Sequence, residues 1–431
     1  MHRREVLKNS LLGLGAYNAF WRDAQAQGTS HAPKLKITAV RTAKFNKVSH
    51  TFVRIYTDQG VTGTAEFSDE IMAADIVARL LGPTLVQEAW NPLDIEAINR
   101  RLWAGGGLAN AVAPGLPGHI SPVFIRGFGG PYLAAISGLD MALWDLAGKA
   151  MGVPIYRLLG GRVRPKIPVY FDIAPIYMNP DNLKLAKAAV QNDGIRMIKS
   201  PIDGITRLST AKLAFDRTRI GNYQVTNAQI DEVVDYVGKL REAVGDANMA
   251  IEMHASYDID SAIRIAHAIE RFEPAWIEEP IPSDNPDAMA EVRRSVGVPV
   301  ACGENIYTRY GFRPFFEKQA MAVAQPDMAK TGGLTETLKI AAAAEVYGIA
   351  MAPHSQAGPY GVATVAHADA TIPNFFAQEW AYYGNQYDQM LKRPVYKDGF
   401  LELSEEPGVG IELNQDFIKE NLLPGYEFPA A

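Results

Sequence analysis

Six stretches decide the fold: MAIEMH (residues 249–254), WIEEP (276–280), PVACGEN (299–305), AVAQPD (322–327), IAMAPH (349–354) and FFAQEW (375–380). Each is a short run of small or β-branched apolar residues that stops on a polar one, at Glu252, Glu278, Glu304, Asp327, His354 and Glu379. These stops lie between 23 and 27 residues apart. A parallel strand with one crossover helix and two loops needs about 25 residues. IPVYFD (167–172) and IRMIKS (195–200) extend the series backwards to eight strands between Ile167 and Trp380. The expected fold is α/β, a modified TIM-type (β/α)8 barrel whose strand ends face one another across one mouth.

The step from Lys199 to Glu252 is 53 residues, twice the usual period, which places an insertion after the second strand at residues 201–223. Its crossover helix resumes at Thr226-Asn227 and stops at Gly245. Asn285-Pro286 opens another helix, and LTETLKIAAAAEVYG is a third, ended by Gly348. Ahead of the barrel, LKITAVRTAKF and TFVRIYTD read as strands, with Asp58 to Val61 as a hairpin turn before TGTAEF. IMAADIVARLLG reads as a helix stopping at Gly82, and NPLDIEAINRRLW as one capped by Asn91 with Pro92 first in the helix. PYLAAISGLDMALWDLAGKAMG is an amphipathic helix with a stripe of Leu133, Ile136, Leu139, Leu143 and Leu146, closed by Gly152. The expected organisation is an α+β capping domain at 33–165, the barrel at 166–394, and a C-terminal segment at 395–431 whose strand-like FLELS and GIEL return to complete the capping domain.

The bulk numbers bound the partners. Of 431 residues 48% are hydrophobic and 21% charged, with a net charge of −6 and no long run of either sign. That gives no electrostatic case for nucleic acid or an anionic membrane, and favours a small-molecule substrate. The single cysteine, Cys302, excludes an intramolecular disulfide and a cysteine-based zinc cluster. At the N-terminus RREVLK (3–8), the mildly apolar SLLGLGAYNAF (10–20) and Ala24-Gln25-Ala26 read as an export signal over residues 1–26, of the twin-arginine type. The expectation is a periplasmic or exported protein, with a cytoplasmic one as the alternative. The apolar stretch is too short for a permanent membrane span.

Glu252, Glu278 and Glu304, on consecutive strands, bring three carboxylates to the mouth, a costly arrangement unless a positive charge sits among them. All-oxygen ligation with open positions suits Mg²⁺, although a barrel mouth also collects acidic loop caps. Asp327 and His354 end neighbouring strands, so the aspartate can fix the imidazole tautomer and leave one nitrogen to take a proton. Lys199 ends the second strand. His254 lies two residues beyond Glu252, which strand alternation places on the same face.

Taken together, WIEEP, GEN, QPD…GG, APHS and the helix SGLDMALWDLAGKAMGVPIYRLLGG resemble the enolase superfamily, in its mandelate racemase and muconate lactonizing subgroup, from about Lys34 to the C-terminus. The resemblance implies removal of a proton α to a carboxylate whose oxygens bind Mg²⁺. It implies Glu252, Glu278 and Glu304 as ligands, His354 with Asp327 as base, and Glu379 as hydrogen-bond partner of the enolate oxygen. It departs from the subgroup at Glu252, where Asp is usual, and at Pro201, where racemases carry a second lysine after Lys199. EMH is similar to the Asp-x-His pattern of galactonate and mannonate dehydratases, which implies His254 as the acid that protonates a departing hydroxyl.

The leading expectation is an Mg²⁺-dependent dehydratase converting a sugar acid to a 2-keto-3-deoxy acid. The alternatives are a racemase or epimerase with Lys199 and His354 as opposed bases, and a sugar-acid binding protein without turnover. Members of this family commonly assemble, so a homo-oligomer is also expected. Substrate identity would be set by Thr42 to His50 and by the glycine-rich Gly105 to Gly130, with Arg126, Tyr132 and His119 as candidate contacts.

Overall fold

The computed structural model describes residues 33–46, 51–67, 72–103, 129–173, 181–206, 224–381, 390–391 and 396–429. The export signal at 1–26, most of the glycine-rich stretch with His119 and Arg126, and residues 47–50 and 207–223 lie outside them. No helix among the described residues is long and apolar enough to cross a membrane.

An antiparallel meander opens the described chain: β1 (Ile37–Lys44), β2 (Thr51–Thr57) and β3 (Thr62–Phe67). Two helices, α1 (Ile95–Trp103) and α2 (Pro131–Met151), belong to this α+β cap. The eight barrel strands follow, β4 (Lys166–Asp172), β5 (Met197–Pro201), β6 (Asn248–Glu252), β7 (Trp276–Glu278), β8 (Val300–Cys302), β9 (Val323–Ala324), β10 (Ala350–Met351) and β11 (Gln378–Trp380). Successive strands from β4 to β10 pair in parallel, and β11 pairs in parallel with β4. A parallel bridge between Met351 and Phe375, with Phe376 N–H donating to Met351 O at 2.7 Å, closes the ring. Seven crossover helices join them: α3 (Asp181–Asn192), α4 (Asn227–Val244), α5 (Ile259–Ile269), α6 (Pro286–Ser295), α7 (Thr308–Glu317), α8 (Gly333–Val346) and α9 (Pro359–Asp369). The capping chemistry read from the sequence is in place at α4, where Thr226 and Gln229 form a capping box, and at α6, where the Asn285 side chain accepts two backbone N–H groups.

Inside the barrel, Tyr170, Met197 and Trp276 are packed against Ala250, Ala301 and Ala352. Large side chains on some strands fill the space that alanines on others leave, so the interior is solid below the mouth. Tyr170 and Trp276 meet edge-on with centroids 5.4 Å apart.

Four details differ from the sequence reading. Gly82 does not stop its helix; it is helical, and the chain runs on through a π turn at Val77–Leu81 into Gly82–Gln87. A Cβ at Gly82 would lie 3.0 Å from Val40, so the glycine serves close packing on β1. The helix after Asn91 begins only at Ile95, because the Asn91 side chain accepts from Leu93 N–H and spends itself on a separate turn. Helix α2 is buried on nearly every face rather than on one stripe, since it is held between the meander and α8. FLELS does not return to the cap. Residues Phe400–Glu402 form β12, which pairs antiparallel with the Lys166–Pro168 end of β4, an edge that β5 leaves uncovered because it starts pairing only at Phe171. The last segment pairs with the meander instead: Phe45 bridges Leu422, Leu423 N–H donates to Lys44 O, and the Arg54 guanidinium lies 4.2 Å from the Phe428 ring centre.

Cap and barrel are fastened by carboxylates set at helix N-termini. Glu66 on β3 accepts from Gly358 N–H (2.7 Å) and Gly361 N–H (2.8 Å) at the start of α9. Asp140 on α2 accepts from Thr335 N–H (3.0 Å) in the first turn of α8 and from Asn99 of α1 (2.6 Å). Negative groups there answer both the unpaired N–H groups and the helix dipole. Glu66→Ala leaves two buried N–H groups without an acceptor and should cost about 1–3 kcal/mol. Urea titration of the variant beside wild type measures it, and an unchanged midpoint would contradict this account of the junction.

Candidate active site at the barrel mouth

Strand register sets the first two carboxylates side by side, because Glu252 is the parallel partner of Glu278. Glu304 arrives differently, from the turn after β8. There Gly303 has φ +142°, and a Cβ on it would stand 2.9 Å from the Phe312 ring. Only glycine fits that turn. The three glutamates converge, with one oxygen of each lying within 4.8 Å of the others. Asp327 and His354 also sit just past their strands rather than on them.

Lys199 stands among these acids. Its Nζ is 2.7 Å from Glu278 Oε1, 2.6 Å from Glu379 Oε1 and 3.4 Å from Glu252 Oε2, and it is buried. Glu278 also accepts from Trp276 Nε1 (2.9 Å) and Gln325 Nε2 (2.6 Å). His354 Nδ1 is 2.8 Å from Asp327 Oδ2, and its Nε2 is 3.1 Å from Glu304 Oε2 and 3.8 Å from Glu379 Oε2. Glu379 in turn accepts from Ser355 N–H at 2.9 Å.

His254 reaches the site by a route that strand alternation does not describe. The chain leaves β6 at Glu252, and His254 (φ +44°) and Ala255 (φ +52°) are both left-handed. Their N–H groups are held by Glu252 Oε1 (2.6 Å) and Glu279 O (2.7 Å). The ring Nδ1 is 2.8 Å from Asp203 Oδ1.

Burial and charge pull these groups in opposite directions. Burial pushes the Glu278 carboxyl up, but Lys199 and its hydrogen-bond partners outweigh it and hold it at about 2. Glu252 goes the other way: burial and the charge of Glu278 raise it well above the carboxylate range. Burial lifts Glu379 to about 7, against Lys199 and His354. The His354 ring would fall on burial alone, yet Glu379, Glu304 and Asp327 bring it up to about 9.

The donor set fits a divalent cation. Glu252 Oε2 is buried and accepts no hydrogen bond, the glutamate oxygens are mutually close, and all are hard ligands. Among the described residues this is the one acidic cluster with such spacing.

The profile of the enolase C-terminal domain-like family matches residues 182–417, and that of the mandelate racemase / muconate lactonizing enzyme N-terminal domain matches 27–160. The chain belongs to the mandelate racemase/muconate lactonizing enzyme family of the enolase superfamily. It is 33% identical to a D-xylonate dehydratase of Haloferax volcanii over 86% of this chain and 85% of that one. It is 30% identical to a D-galactonate dehydratase of Pectobacterium atrosepticum, over 90% and 94%. Among solved structures, a mandelate racemase/muconate lactonizing enzyme-like protein from Rubrobacter xylanophilus superposes with a TM-score of 0.78 at 32% identity, covering 92% of this chain and all of that one. A member of the enolase superfamily from Salmonella Typhimurium gives 0.76 at 31%, covering 90% and 98%.

In this family member the mouth includes residues that the strand-end pattern does not reveal. Tyr170, Trp276 and Gln325 form its floor, and Asp203 comes from the turn after β5. Gln325 stands in the QPD string, which was the available signal. Tyr132 lies on α2 of the cap, with its hydroxyl donating to Leu102 O at 2.9 Å. Removing the Lys199 charge strands Glu278 and Glu379. Lys199→Met should therefore destabilise the protein by about 3–5 kcal/mol in cation-free buffer, read from urea unfolding; wild-type stability would show that the cluster discharges itself by protonation.

Proposed function

We propose that this enzyme is a sugar-acid dehydratase that uses Mg²⁺, held by Glu252, Glu278 and Glu304, to convert an aldonate to a 2-keto-3-deoxy acid. Two histidines on either side of one carboxylate cluster carry this reading. His354 lies against Glu304 and His254 is bonded through its backbone to Glu252. The dehydratase relatives support the reaction class and its substrates, D-xylonate and D-galactonate being the acids they are named for.

Bound there, the cation would neutralise charge developing on the substrate carboxylate. Its charge beside Glu304 would also offset one of the carboxylates that raise His354, leaving Nε2 free to take the C2 proton while Asp327 holds Nδ1. Glu379, lifted to about 7 mainly by burial, can carry a proton at neutral pH and so donate a hydrogen bond to the enolate oxygen. The electron pair of the C2–H bond becomes the C2–C3 double bond, and the C3–O bond breaks as His254 gives that oxygen a proton, releasing water. The enol then takes up a proton at C3 to give the 2-keto acid.

An epimerase would need Lys199 as a second, neutral base. Its ammonium, within 2.6–3.4 Å of three carboxylates, is placed to stay charged. Incubating the enzyme with aldonates and Mg²⁺ in D₂O should give keto acid, and His354→Asn should lower the rate by at least roughly 100-fold while retaining cation binding by calorimetry. Deuterium at C2 without loss of water would favour the epimerase; cation binding without any turnover would favour the binding protein. Export by the twin-arginine route belongs to the same proposal. Arg3→Lys with Arg4→Lys should leave the protein in the cytoplasmic fraction, and unchanged export would remove that assignment.

A further inference from the structure

We infer that Asp203 is the positioning residue for the general acid, so that the mouth is worked by two Asp–His pairs rather than one. The inference rests on the dehydratase reading, in which His254 protonates the departing hydroxyl. Asp203 is buried, and its Oδ1 is 2.8 Å from His254 Nδ1. That is the same nitrogen and the same distance by which Asp327 holds His354. A carboxylate on Nδ1 fixes the ring's orientation and makes Nε2 the nitrogen that hands on a proton.

The pair is braced from both sides. Ile202 N–H donates to Glu252 O at 2.9 Å, which prolongs the β5–β6 register by one bond and presents the Asp203 turn beside His254. Thr206, three residues on, bonds both Asp203 O and Tyr257 OH, and its own carbonyl accepts from Gln229 of the α4 capping box. On the other side, consecutive left-handed residues at His254 and Ala255 are an unfavourable backbone state that persists only where the surroundings impose it. Here the impositions are the bonds to Glu252 and Glu279. A helix cap, a strand register and a strained turn thus converge on one imidazole. The turn also accounts for Pro201. Where a second lysine would offer a base, the chain after Lys199 delivers a carboxylate that serves the acid on the next strand.

Substitution of Asp203 tests this. In D₂O with Mg²⁺ and an aldonate that the wild type dehydrates, Asp203→Asn should lose keto-acid formation by roughly 100-fold, the scale of one general acid–base group. Exchange of the C2 proton, which His354 performs, should persist. A 3-deoxy-3-fluoro aldonate should lose fluoride at the wild-type rate, because fluoride departs without taking up a proton. Asp203→Glu, keeping the carboxylate, should recover part of the dehydration. Loss of exchange, dehydration and fluoride release together would mean that Asp203 only supports the fold and would overturn the assignment. So would dehydration at the wild-type rate in Asp203→Asn. No keto acid from any aldonate in the wild type would instead overturn the dehydratase reading, and this assignment with it.

Discussion

Lys199 is the group on which the mouth depends. A parallel barrel delivers the ends of neighbouring strands to one place, and here the ends of β6, β7 and β11 and the turn after β8 deliver four glutamates. Without a cation between them, the ionised form of such a cluster would be strongly disfavoured. One buried ammonium, in ion-pair contact with Glu252, Glu278 and Glu379, sets how far that goes. Glu278, with the most donors, stays ionised, while Glu252 and Glu379 are raised. The result is graded rather than uniform: a fixed anion, a carboxyl poised near neutrality and an oxygen left without a donor. A cation site and a hydrogen-bond donor can both be drawn from that set.

The floor beneath it has a matching logic. Trp276 and Gln325 give Glu278 its remaining donors, and Tyr170 packs edge-on against Trp276. Trp276 and Tyr170 are also the large residues that fill the barrel interior opposite the alanines. Packing and electrostatics are therefore not separable here: removing a floor side chain would open a cavity and also free a carboxylate oxygen. The cap is tied to the barrel on the same mouth side, by Glu66 and Asp140 at the N-termini of α9 and α8.

The barrel was legible because the period of its strands is a backbone property, repeated eight times with a polar stop each time. The carboxylate cluster was legible for the same reason, as one acid per successive strand end needs no knowledge of loops. Asp203 was hidden because its contact with His254 spans an insertion whose conformation local sequence does not set. Tyr170 was hidden because a barrel-inward position reads like any strand residue, whereas Gln325 stands in the QPD string. Strand alternation does not explain the placement of His254, since alternation ends with the strand and two left-handed residues do the turning instead. FLELS joins the barrel sheet and not the cap because a strand pattern says that an edge is needed, not which edge is open, and the uncovered half of β4 offers one.

The two positions that depart from the family pattern are direct neighbours. Pro201 is the parallel register partner of Glu252. Paired residues of adjacent parallel strands project to the same side of the sheet, so a lysine at 201 would run alongside Glu252 and add a second cation to the cluster. Proline removes that charge and that bulk. Glutamate, one methylene longer than aspartate, turns Oε1 back to the His254 N–H at 2.6 Å while Oε2 lies 3.4 Å from the Lys199 ammonium. The two departures thus stand side by side: where a second lysine would project from β5, β6 presents a carboxylate bonded to the backbone of the histidine at its end.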